Sequence, residues 1–304
     1  GRLDLVGAGP QGLVVGLQSA GFAWEARKLA EGAVERAIAL DLGNDDDLDL
    51  FYTHGNEVHL LEAVKQGDPP QLAWRTWPGT LPALSSPALD LMAVDFDHEG
   101  DLDLLLVGAF GARLLRNDGA ASPDKGGFTY VTAEAGLPRE RGFEWCLIDD
   151  FDTDQDVDLL LGGEQGLFLA SNLRGGQFED RSAWLANSFF TSSVAPVVAD
   201  FDGDARPDLW SSSVGSVLLL GQPSGQFAPA SDYALAPLPD AVAPDAAIAC
   251  SSLDYDLDGA PDLLWSGPAA GGDLHQRVQL VPTSPLRIGS DGPLATGATA
   301  SLLE

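Results

Sequence analysis

Short apolar runs of about five to seven residues recur along the whole chain, each bounded by Gly, Asn, Asp or Ser. Examples are "RAIALDL" (36–42), "LDLMAVDF" (89–96) and "DLLLGG" (158–163). No segment sustains the 3.6-residue hydrophobic period of an amphipathic helix. The pattern therefore predicts an all-β fold, in which short strands are joined by tight polar turns.

The predicted strands belong to a repeat. Five acidic stretches begin at Asp41, Asp95, Asp150, Asp200 and Asp254, so that successive copies start 54, 55, 50 and 54 residues apart. An apolar strand precedes each stretch. Another strand, a Gly-rich turn, a second strand and a Gly-x-Phe-type third strand follow it. Four antiparallel strands in about 50 residues are typical of one blade of a β-propeller.

The two ends of the chain extend the repeat. "GRLDL" (1–5) matches "GDLDL" (100–104), so the chain opens inside a further copy of the acidic loop. "TGATASLLE" (296–304) resembles "DAAIACSSLD" (245–254), the strand before the last loop. We therefore predict a β-propeller of six four-stranded blades, with seven as the alternative, in which the C-terminal strand closes the first blade. Residues 1–304 would form one domain, as a segment of a longer protein.

Acidic residues recur at positions one, three, five and nine of each loop, counted from its first Asp. Carboxylates packed this closely repel one another unless a cation lies among them, although Asp is also common in turns. Oxygen ligands on a flexible loop favour Ca²⁺ over Mg²⁺. We predict about four to five structural Ca²⁺ sites with these ligands: Asp4; Asp41, Asp45 and Asp49; Asp95, Asp97, Glu99 and Asp103; Asp150, Asp152, Asp154 and Asp158; Asp200, Asp202, Asp204 and Asp208; Asp254, Asp256, Asp258 and Asp262. In one copy Gly43 replaces an acid, which leaves occupancy of that loop open.

The overall negative charge argues against negatively charged binding partners. The formal net charge is −30 and the isoelectric point is about 4.1. Such a surface repels phosphate backbones and anionic membranes, which argues against nucleic-acid binding. No apolar run is long enough to span a bilayer, so we expect no membrane insertion. We also expect a monomer.

These loops, the Gly-rich turn after the next strand, and "LLRNDG…GGFTYVTAEAGLP" (114–138) resemble FG-GAP/VCBS repeats. Such repeats occur in the integrin α-subunit propeller and in bacterial and cartilage-acidic-protein-like secreted proteins. The resemblance implies a β-propeller with Ca²⁺ in the hairpin loop between the innermost and second strands of each blade. It also implies an extracellular, cell-surface or periplasmic location.

The rest of the sequence contains one segment that resembles a cofactor-binding motif. "LDLVGAGPQGLVVGL" (3–17) contains the G-x-G-x-x-G pattern of a dinucleotide-binding turn, which alone is a weak signal. It aligns with "VDLLLGGEQGLFLAS" (157–171), so we predict a hairpin between two strands. The four histidines lack metal-ligand spacing, and we predict no enzyme. Cys146 and Cys250 occupy equivalent positions in copies two blades apart, so we expect two free, buried thiols.

Two less repetitive segments contain candidate ligand-binding residues. They are Arg75 and Trp77 in "RTWPGTLPALSSP" (75–87), and Arg139 and Arg141 in "LPRERGFEW" (137–145). Cations on so acidic a chain either bind an anionic group or form ion pairs with neighbouring acids. The function we expect is a secreted, calcium-binding propeller that serves as a ligand-binding or adhesion module for a protein or glycan. The alternative is a propeller enzyme acting on extracellular polysaccharide.

Overall fold

A computed structural model describes most of the chain with side chains. The described residues are 4–18, 23–66, 71–79, 81, 83–119, 127–185, 194–211, 217–230, 249–254, 259, 261–268 and 276–281. The predicted closing strand (296–304) lies outside them, so closure of a ring and the number of blades stay predictions.

The described residues are almost entirely β-structure. Twenty-two strands follow one another along the chain: β1 (Leu5–Gly9), β2 (Gly12–Gln18), β3 (Trp24–Ala30), β4 (Arg36–Leu40), β5 (Asp49–His54), β6 (Glu57–Gln66), β7 (Gln71–Thr76), β8 (Ala88–Val94), β9 (Asp103–Gly108), β10 (Gly111–Asn117), β11 (Phe128–Tyr130), β12 (Trp145–Asp149), β13 (Asp158–Gly163), β14 (Gly166–Asn172), β15 (Phe178–Asp180), β16 (Val197–Ala199), β17 (Asp208–Ser211), β18 (Val217–Gly221), β19 (Phe227–Pro229), β20 (Ala249–Leu253), β21 (Asp262–Pro268) and β22 (Gln276–Val281). A 3₁₀-helix, Ser182–Leu185, follows β15. No α-helix occurs among the described residues, and none of their helices has the length and apolar character needed to cross a lipid bilayer. The all-β prediction is confirmed.

These strands form six sheets in the described part of the chain, each with its strands in sequence order. The sheets contain β1–β3, β4–β7, β8–β11, β12–β15, β16–β19 and β20–β22. Every strand pair whose register is defined is antiparallel. Four of the sheets have the four strands predicted for a blade. This arrangement is consistent with a propeller-like fold.

The G-x-G-x-x-G segment forms a hairpin, as the sequence comparison predicted. Strands β1 and β2 pair antiparallel from Leu5 opposite Gly16 to Gly9 opposite Gly12. A two-residue turn, Pro10–Gln11, joins them. No helix follows the second glycine, and the backbone geometry of a dinucleotide-binding turn is therefore missing from this described segment.

Strand β5 shows why the strands are apolar on both sides. Leu50 and Tyr52 belong to one buried cluster with Leu13 of the first sheet, whereas Phe51 belongs to another with Leu104 of the third. Successive side chains of a strand point to opposite faces of its sheet. A sheet covered on both faces thus requires a nearly continuous apolar run rather than strict alternation of apolar and polar residues.

The chain divides into two compact units. One comprises the described residues of Gly1–Ile148, Leu159–Gln165 and Asn172–Glu179, and the other those of Asp149–Asp158, Gly166–Ser171 and Asp180–Glu304. The first unit contains the two clusters around β5. The second contains a cluster of buried residues from the fifth and sixth sheets: Val197, Phe201, Trp210, Leu218 and Leu263. The prediction of one domain over 1–304 stays a prediction.

One of the two cysteines lies within the described core. Cys146 on β12 is a free, buried thiol, as expected. Its backbone N–H donates a 3.0 Å hydrogen bond to Asp90 Oδ2, and its Sγ lies 3.8 Å from the same oxygen. Burial, followed by the charge of Asp90, raises the pKa of this thiol well above its ordinary value. The side chain of Cys250 lies outside the described residues.

Candidate metal centres

The five acidic loops occupy equivalent places in the fold. Each one connects the first strand of a sheet to the second: β4 to β5, β8 to β9, β12 to β13, β16 to β17 and β20 to β21. This is the connection in which the repeat pattern predicted them. The final Asp of each loop is also the first residue of the second strand, so the core fixes one end of the loop.

The final Asp is buried in the four loops where its side chain is described. Asp103 and Asp208 are fully buried, and Asp158 is 1 % exposed. Asp103 Oδ2 accepts a hydrogen bond from the Phe96 backbone N–H (3.2 Å), and its Oδ1 accepts one from Asn117 (2.8 Å). The carboxylate thereby links the start of its own loop to the next strand. Asp208 makes the same pair of bonds, to Phe201 and Gly221.

The first Asp of each loop shapes the loop backbone. Asp200 Oδ1 accepts a hydrogen bond from the Asp204 N–H (3.0 Å), and its Oδ2 accepts one from Ala205 (2.8 Å). Asp150 bonds Asp154 and Gln155 in the same way. The sixth position is left-handed in every loop, with φ of +64° at Asp46, +89° at Gly100, +72° at Gln155, +65° at Ala205 and +89° at Gly259. Position six thus requires a left-handed backbone, which Gly adopts without strain. Three copies adopt it with another residue, namely Asp46, Gln155 and Ala205.

Three loops bring carboxylate oxygens together. The sets are Asp95, Asp97 and Asp103; Asp150, Asp152 and Asp158; and Asp200, Asp202 and Asp208. In each set, one oxygen per residue lies within 4.8 Å of the others. These are positions one, three and nine of the loop. Such all-oxygen sets match the donors that Ca²⁺ prefers.

Several oxygens at these sets have no hydrogen-bond partner. Buried Oδ1 atoms of Asp95, Asp97 and Asp152 accept no bond from the described residues. The other oxygen of Asp152 accepts a 2.9 Å bond from Ser171 Oγ, so the side chain is fixed while Oδ1 is left over. A buried carboxylate oxygen without a partner is costly unless a cation or proton compensates it. The residues present therefore fit a bound cation.

The pKa shifts of the loop carboxyl groups also indicate that a cation would stabilise the loops. Burial, partly opposed by two backbone hydrogen bonds, raises the pKa of Asp103 to about 7, and the charges of Asp97 and Asp101 add to the rise. Burial raises the pKa of Asp208 to about 6, with Asp202 and Asp204 contributing. Without a counter-charge, these carboxyl groups retain protons at a pH where an exposed Asp is ionised. A cation among them would favour the ionised forms.

The position-five acids lie outside the three converging sets. Oδ1 of Asp154 accepts a 3.0 Å bond from the Asp156 N–H, and Asp204 accepts one from Arg206 and is also ion-paired with it. Glu99 is exposed. The role of these residues as metal ligands stays a prediction.

Position seven contains acids that the sequence pattern did not single out. Asp101 has a buried Oδ1 without a partner in the described structure, and burial together with Asp97 and Asp95 raises its pKa. Asp156 is 2 % exposed. The sequence does contain a sign of these additional acids, because Asp occurs at position seven in three copies, at residues 47, 101 and 156.

The 41–49 loop differs from the other three described loops because it has Gly43 at position three and because one of its acids pairs with a lysine from a strand. Asp41, Asp45 and Asp49 do not form a converging set within the described residues, since position three is Gly43. Lys65 on β6 places its Nζ 2.9 Å from Oδ1 of Asp47. Asp47, Asp45 and Asp46 all raise the pKa of Lys65. A protein ammonium group therefore offsets part of the loop charge here.

Two further copies are only partly described. In the 254–262 loop, Gly259 N–H donates a 3.1 Å bond to Asp254, whereas Asp256, Asp258 and the Asp262 side chain lie outside the described residues. Asp4 is exposed and accepts a bond from Gln18. Metal binding by these acids stays a prediction.

Of the ligand-binding candidates, Arg75 and Trp77 have partners within the protein. Arg75 donates two hydrogen bonds to the Glu62 carboxylate, at 2.8 and 3.0 Å. The Trp77 ring packs edge-on against Phe128, with 5.7 Å between ring centroids, at the border of a buried cluster. The structure thus gives both residues structural contacts, which leaves their role in ligand binding a prediction.

Arg139 and Arg141 lie together at an open pocket. The pocket has a volume of about 820 Å³, and Arg113, Leu137, Pro138 and Glu140 also line it. Arg113 was missed from the sequence because it lies within an apolar strand, "ARLLRN". The sequence does contain a signal, because Arg113 is a charged residue between the apolar residues Ala112 and Leu114.

Comparisons with known proteins agree with this architecture. Residues 150–211 match the family described as FG-GAP-like repeat. A search of curated proteins found no match. Among solved structures, the chain is similar to a lectin of Agrocybe aegerita, described as recognising non-reducing terminal N-acetylglucosamine: TM-score 0.58, 15 % identity, covering 92 % of this chain and 77 % of the lectin. The resemblance to FG-GAP repeats is confirmed, and the two findings together support an FG-GAP repeat β-propeller.

Proposed function

We propose that the protein is an extracellular, Ca²⁺-stabilised β-propeller that binds a carbohydrate ligand and has no enzymatic activity. The observation that carries the calcium part is the convergence of three carboxylates in each of three loops. The buried oxygens left without partners there support a metal rather than a proton as the native occupant.

Calcium suits these sets better than magnesium. Each set combines carboxylates with the backbone of an irregular nine-residue loop, which suits the 6–8 oxygens and adaptable geometry of Ca²⁺. Mg²⁺ requires a smaller and more rigid octahedron. Calcium sites of extracellular modules have dissociation constants near 10⁻⁴–10⁻³ M, and we propose affinities in this range and an extracellular or periplasmic location.

A carbohydrate ligand is supported by the lectin among the structural neighbours. At 15 % identity that likeness concerns the fold, and a propeller fold serves many functions, so the ligand class is part of the proposal. Binding rather than catalysis is supported by the sequence, in which the regular carboxylate pairs all belong to the acidic loops.

The metal part is tested by thermal unfolding and isothermal titration calorimetry. We expect 2 mM Ca²⁺ to raise the melting temperature relative to EDTA, and 2 mM Mg²⁺ to have a much smaller effect. For dissociation constants near 10⁻⁴–10⁻³ M, each occupied site would add about 0.6–1.8 kcal/mol at 2 mM Ca²⁺. Calorimetry should give at least three sites. Identical melting curves in Ca²⁺ and EDTA would disprove this part.

The ligand part is tested by a glycan array that includes N-acetylglucosamine-terminated and acidic oligosaccharides, in Ca²⁺ buffer. Binding to a defined glycan supports the proposal, and an array without any binding contradicts it. Every glycan that binds is then incubated with the protein and analysed for new reducing ends or unsaturated uronates. Either product would establish the propeller enzyme acting on polysaccharide instead.

A further inference from the structure

We infer that the pocket between strand β10 and the segment 133–141 binds the anionic group of an acidic saccharide through Arg113 and Arg139, with Arg141 beside them. The inference rests on the proposed function, which is the binding of a carbohydrate. It adds that the carbohydrate is negatively charged and that it binds at this pocket.

The local charge is the first observation. The chain has 46 acidic and 16 basic residues, yet three arginines and one acid, Glu140, line this pocket. Neither Arg113 nor Arg139 forms an ion pair with an acid of the described residues. A small anion is therefore attracted here, whereas a long polyanion such as a nucleic acid would also meet the acidic surface around it.

The pocket is built by close backbone packing. Ala112 N–H donates a 3.2 Å bond to Pro138 O, which fixes the segment against β10. Gly111 has φ +89°, and a Cβ placed there would lie 2.6 Å from Arg139 O. The close approach thus requires glycine. It places the backbone that carries Arg139 directly against the strand that carries Arg113.

The Arg113 side chain is held in place. Arg113 Nη1 donates to Ala112 O at 2.7 Å and to Arg139 O at 3.3 Å, and its guanidinium lies 5.2 Å from the centre of the Phe110 ring. Both of these bonds use Nη1. A guanidinium has five N–H donors, so the Nη2 end can donate to an anion. Fixed arginines lose less side-chain entropy on binding and can pair with carboxylate or sulfate through two bonds.

Arg141 is fixed in a similar way. Its Nη2 donates a 3.1 Å bond to Gln165 O, and its guanidinium lies 5.5 Å from the centre of the Phe143 ring. It therefore adds a fixed positive charge at the edge of the pocket.

An aromatic ring beside the pocket favours a sugar. Tyr130 is 36 % exposed and lies opposite Leu115 on the neighbouring strand. Arg113 is two residues from Leu115, so Arg113 and Tyr130 share one face of the sheet. The positive charge of Arg113 also partly offsets the rise that burial causes in the Tyr130 pKa. An exposed ring offers an apolar face and a polar hydroxyl to a saccharide.

The test uses calorimetry with small probes in Ca²⁺ buffer at pH 7 and low salt. The probes are methyl β-D-glucuronide, N-acetylglucosamine 6-sulfate, and uncharged methyl β-D-glucoside. We expect at least one acidic probe to bind about 10-fold or more tightly than the glucoside, since charge-assisted bonds are lost with the neutral sugar. The tighter of the two acidic probes identifies carboxylate or sulfate as the source of the charge.

Substitutions locate the site. Arg113→Gln and Arg139→Gln should each weaken acidic-probe binding by about 10-fold. Arg27→Gln is the matched control, because it removes the same charge from β3, where Arg27 pairs with exposed Glu25. Its affinity should equal that of the wild type. Unchanged melting temperatures in Ca²⁺ show that the variants fold.

Any one of the following three results would overturn the inference, as would the two described after them. They are equal affinity for acidic and neutral sugars, unchanged affinity in both arginine variants, and tighter binding of an Asp-rich hexapeptide than of any sugar. Binding of neutral N-acetylglucosamine without binding of either acidic probe would overturn this inference and leave the proposed function intact. Absence of all saccharide binding, in a protein that melts higher in Ca²⁺, would overturn both the inference and the ligand part of the proposed function.

Discussion

Asp4 accepts a 2.8 Å hydrogen bond from the backbone N–H of Gln18, fourteen residues further along the chain. Asp103 and Asn117 have the same separation and the same bond, also at 2.8 Å. Asp4 therefore occupies position nine of a further copy of the repeat. The residue that matters most in the glycine-rich opening segment is thus an aspartate.

Asp152→Asn should remove one calcium site with little change in shape. Asn retains the bond to Ser171 Oγ, which involves Asp152 Oδ2, but loses the carboxylate charge whose Oδ1 has no protein partner. We expect one ion fewer by calorimetry and a loss of about 2–3 kcal/mol of stability in saturating Ca²⁺. In EDTA the variant should be at least as stable as the wild type, because carboxylate repulsion is relieved.

Asp46→Asn is the matched control for this substitution. Asp46 is exposed at position six of the 41–49 loop, with φ +64°, a conformation that Asn also tolerates. Its ion count and its melting shift in Ca²⁺ should equal those of the wild type. A similar loss of one ion in Asp46→Asn, or a full count in Asp152→Asn, would contradict the assignment of ligands.

Gly43→Asp should create a calcium site. It restores the missing position-three carboxylate, and a Cβ there lies 3.6 Å from Asp45 Cγ, an ordinary contact. We expect one additional ion by calorimetry. In EDTA the variant should be less stable than the wild type, since a further carboxylate joins Asp41, Asp45 and Asp49 without compensation. An unchanged ion count would show that Lys65 blocks the site, and Gly43→Asp with Lys65→Gln would then test that reading.

Ala205→Gly should stabilise the protein. Ala205 has φ +65°, which costs an L-residue roughly 1–2 kcal/mol, and Gly adopts this conformation freely. Allowing for the greater flexibility of Gly in the unfolded chain, we expect a gain of up to about 1 kcal/mol by urea denaturation. Gly100→Ala is the reciprocal variant at φ +89° and should lose about 1–2 kcal/mol. Equal stability of both variants and the wild type would contradict the strain argument.

Trp77→Ala distinguishes a packing role from a binding role. Trp77 contacts Phe128 at the border of a buried cluster, so its removal should cost about 2–3 kcal/mol, near the low end for aromatic truncation. Saccharide affinity, measured at a temperature where the variant is folded, should be unchanged. Arg75 is an exposed residue two positions before Trp77. Arg75→Gln should therefore change neither the stability nor the saccharide affinity greatly. A loss of affinity without a loss of stability would assign Trp77 to a binding site.

Much of the fold follows from local sequence. Strand β5 is apolar because both faces of its sheet are covered, and the acidic loops recur in register with the strands, so elements and loops could be placed without coordinates. The GxGxxG segment was correctly interpreted because Gly9 and Gly12 lie in register with a hairpin turn of another copy. The repeat made this possible, because the segment could be aligned with an equivalent segment of another copy, whereas a motif that occurs once has no such equivalent.

The details of the sites depend on contacts between distant residues. Lys65 reaches Asp47 from another strand, and no spacing rule connects them. Position five matched the acidic pattern, yet Asp204 turns to Arg206 instead of joining the set formed by Asp200. Arg113 became visible as a pocket residue only when the backbone of Arg139 was placed against it. The spacing of residues in the sequence identifies side chains that could form a site. Which of these side chains come together depends on tertiary packing.

In the four fully described acidic loops, the loop's own aspartates hold its backbone, so the loop shape does not depend on a bound ion. The bonds from Asp200 to Asp204 and Ala205 are made by protein groups alone. With the proposed calcium sites, we expect each repeat to gain or lose an ion without rebuilding its neighbours. We expect such an array to lose rigidity in increments as the Ca²⁺ concentration falls, so that its response would be graded rather than that of a single switch.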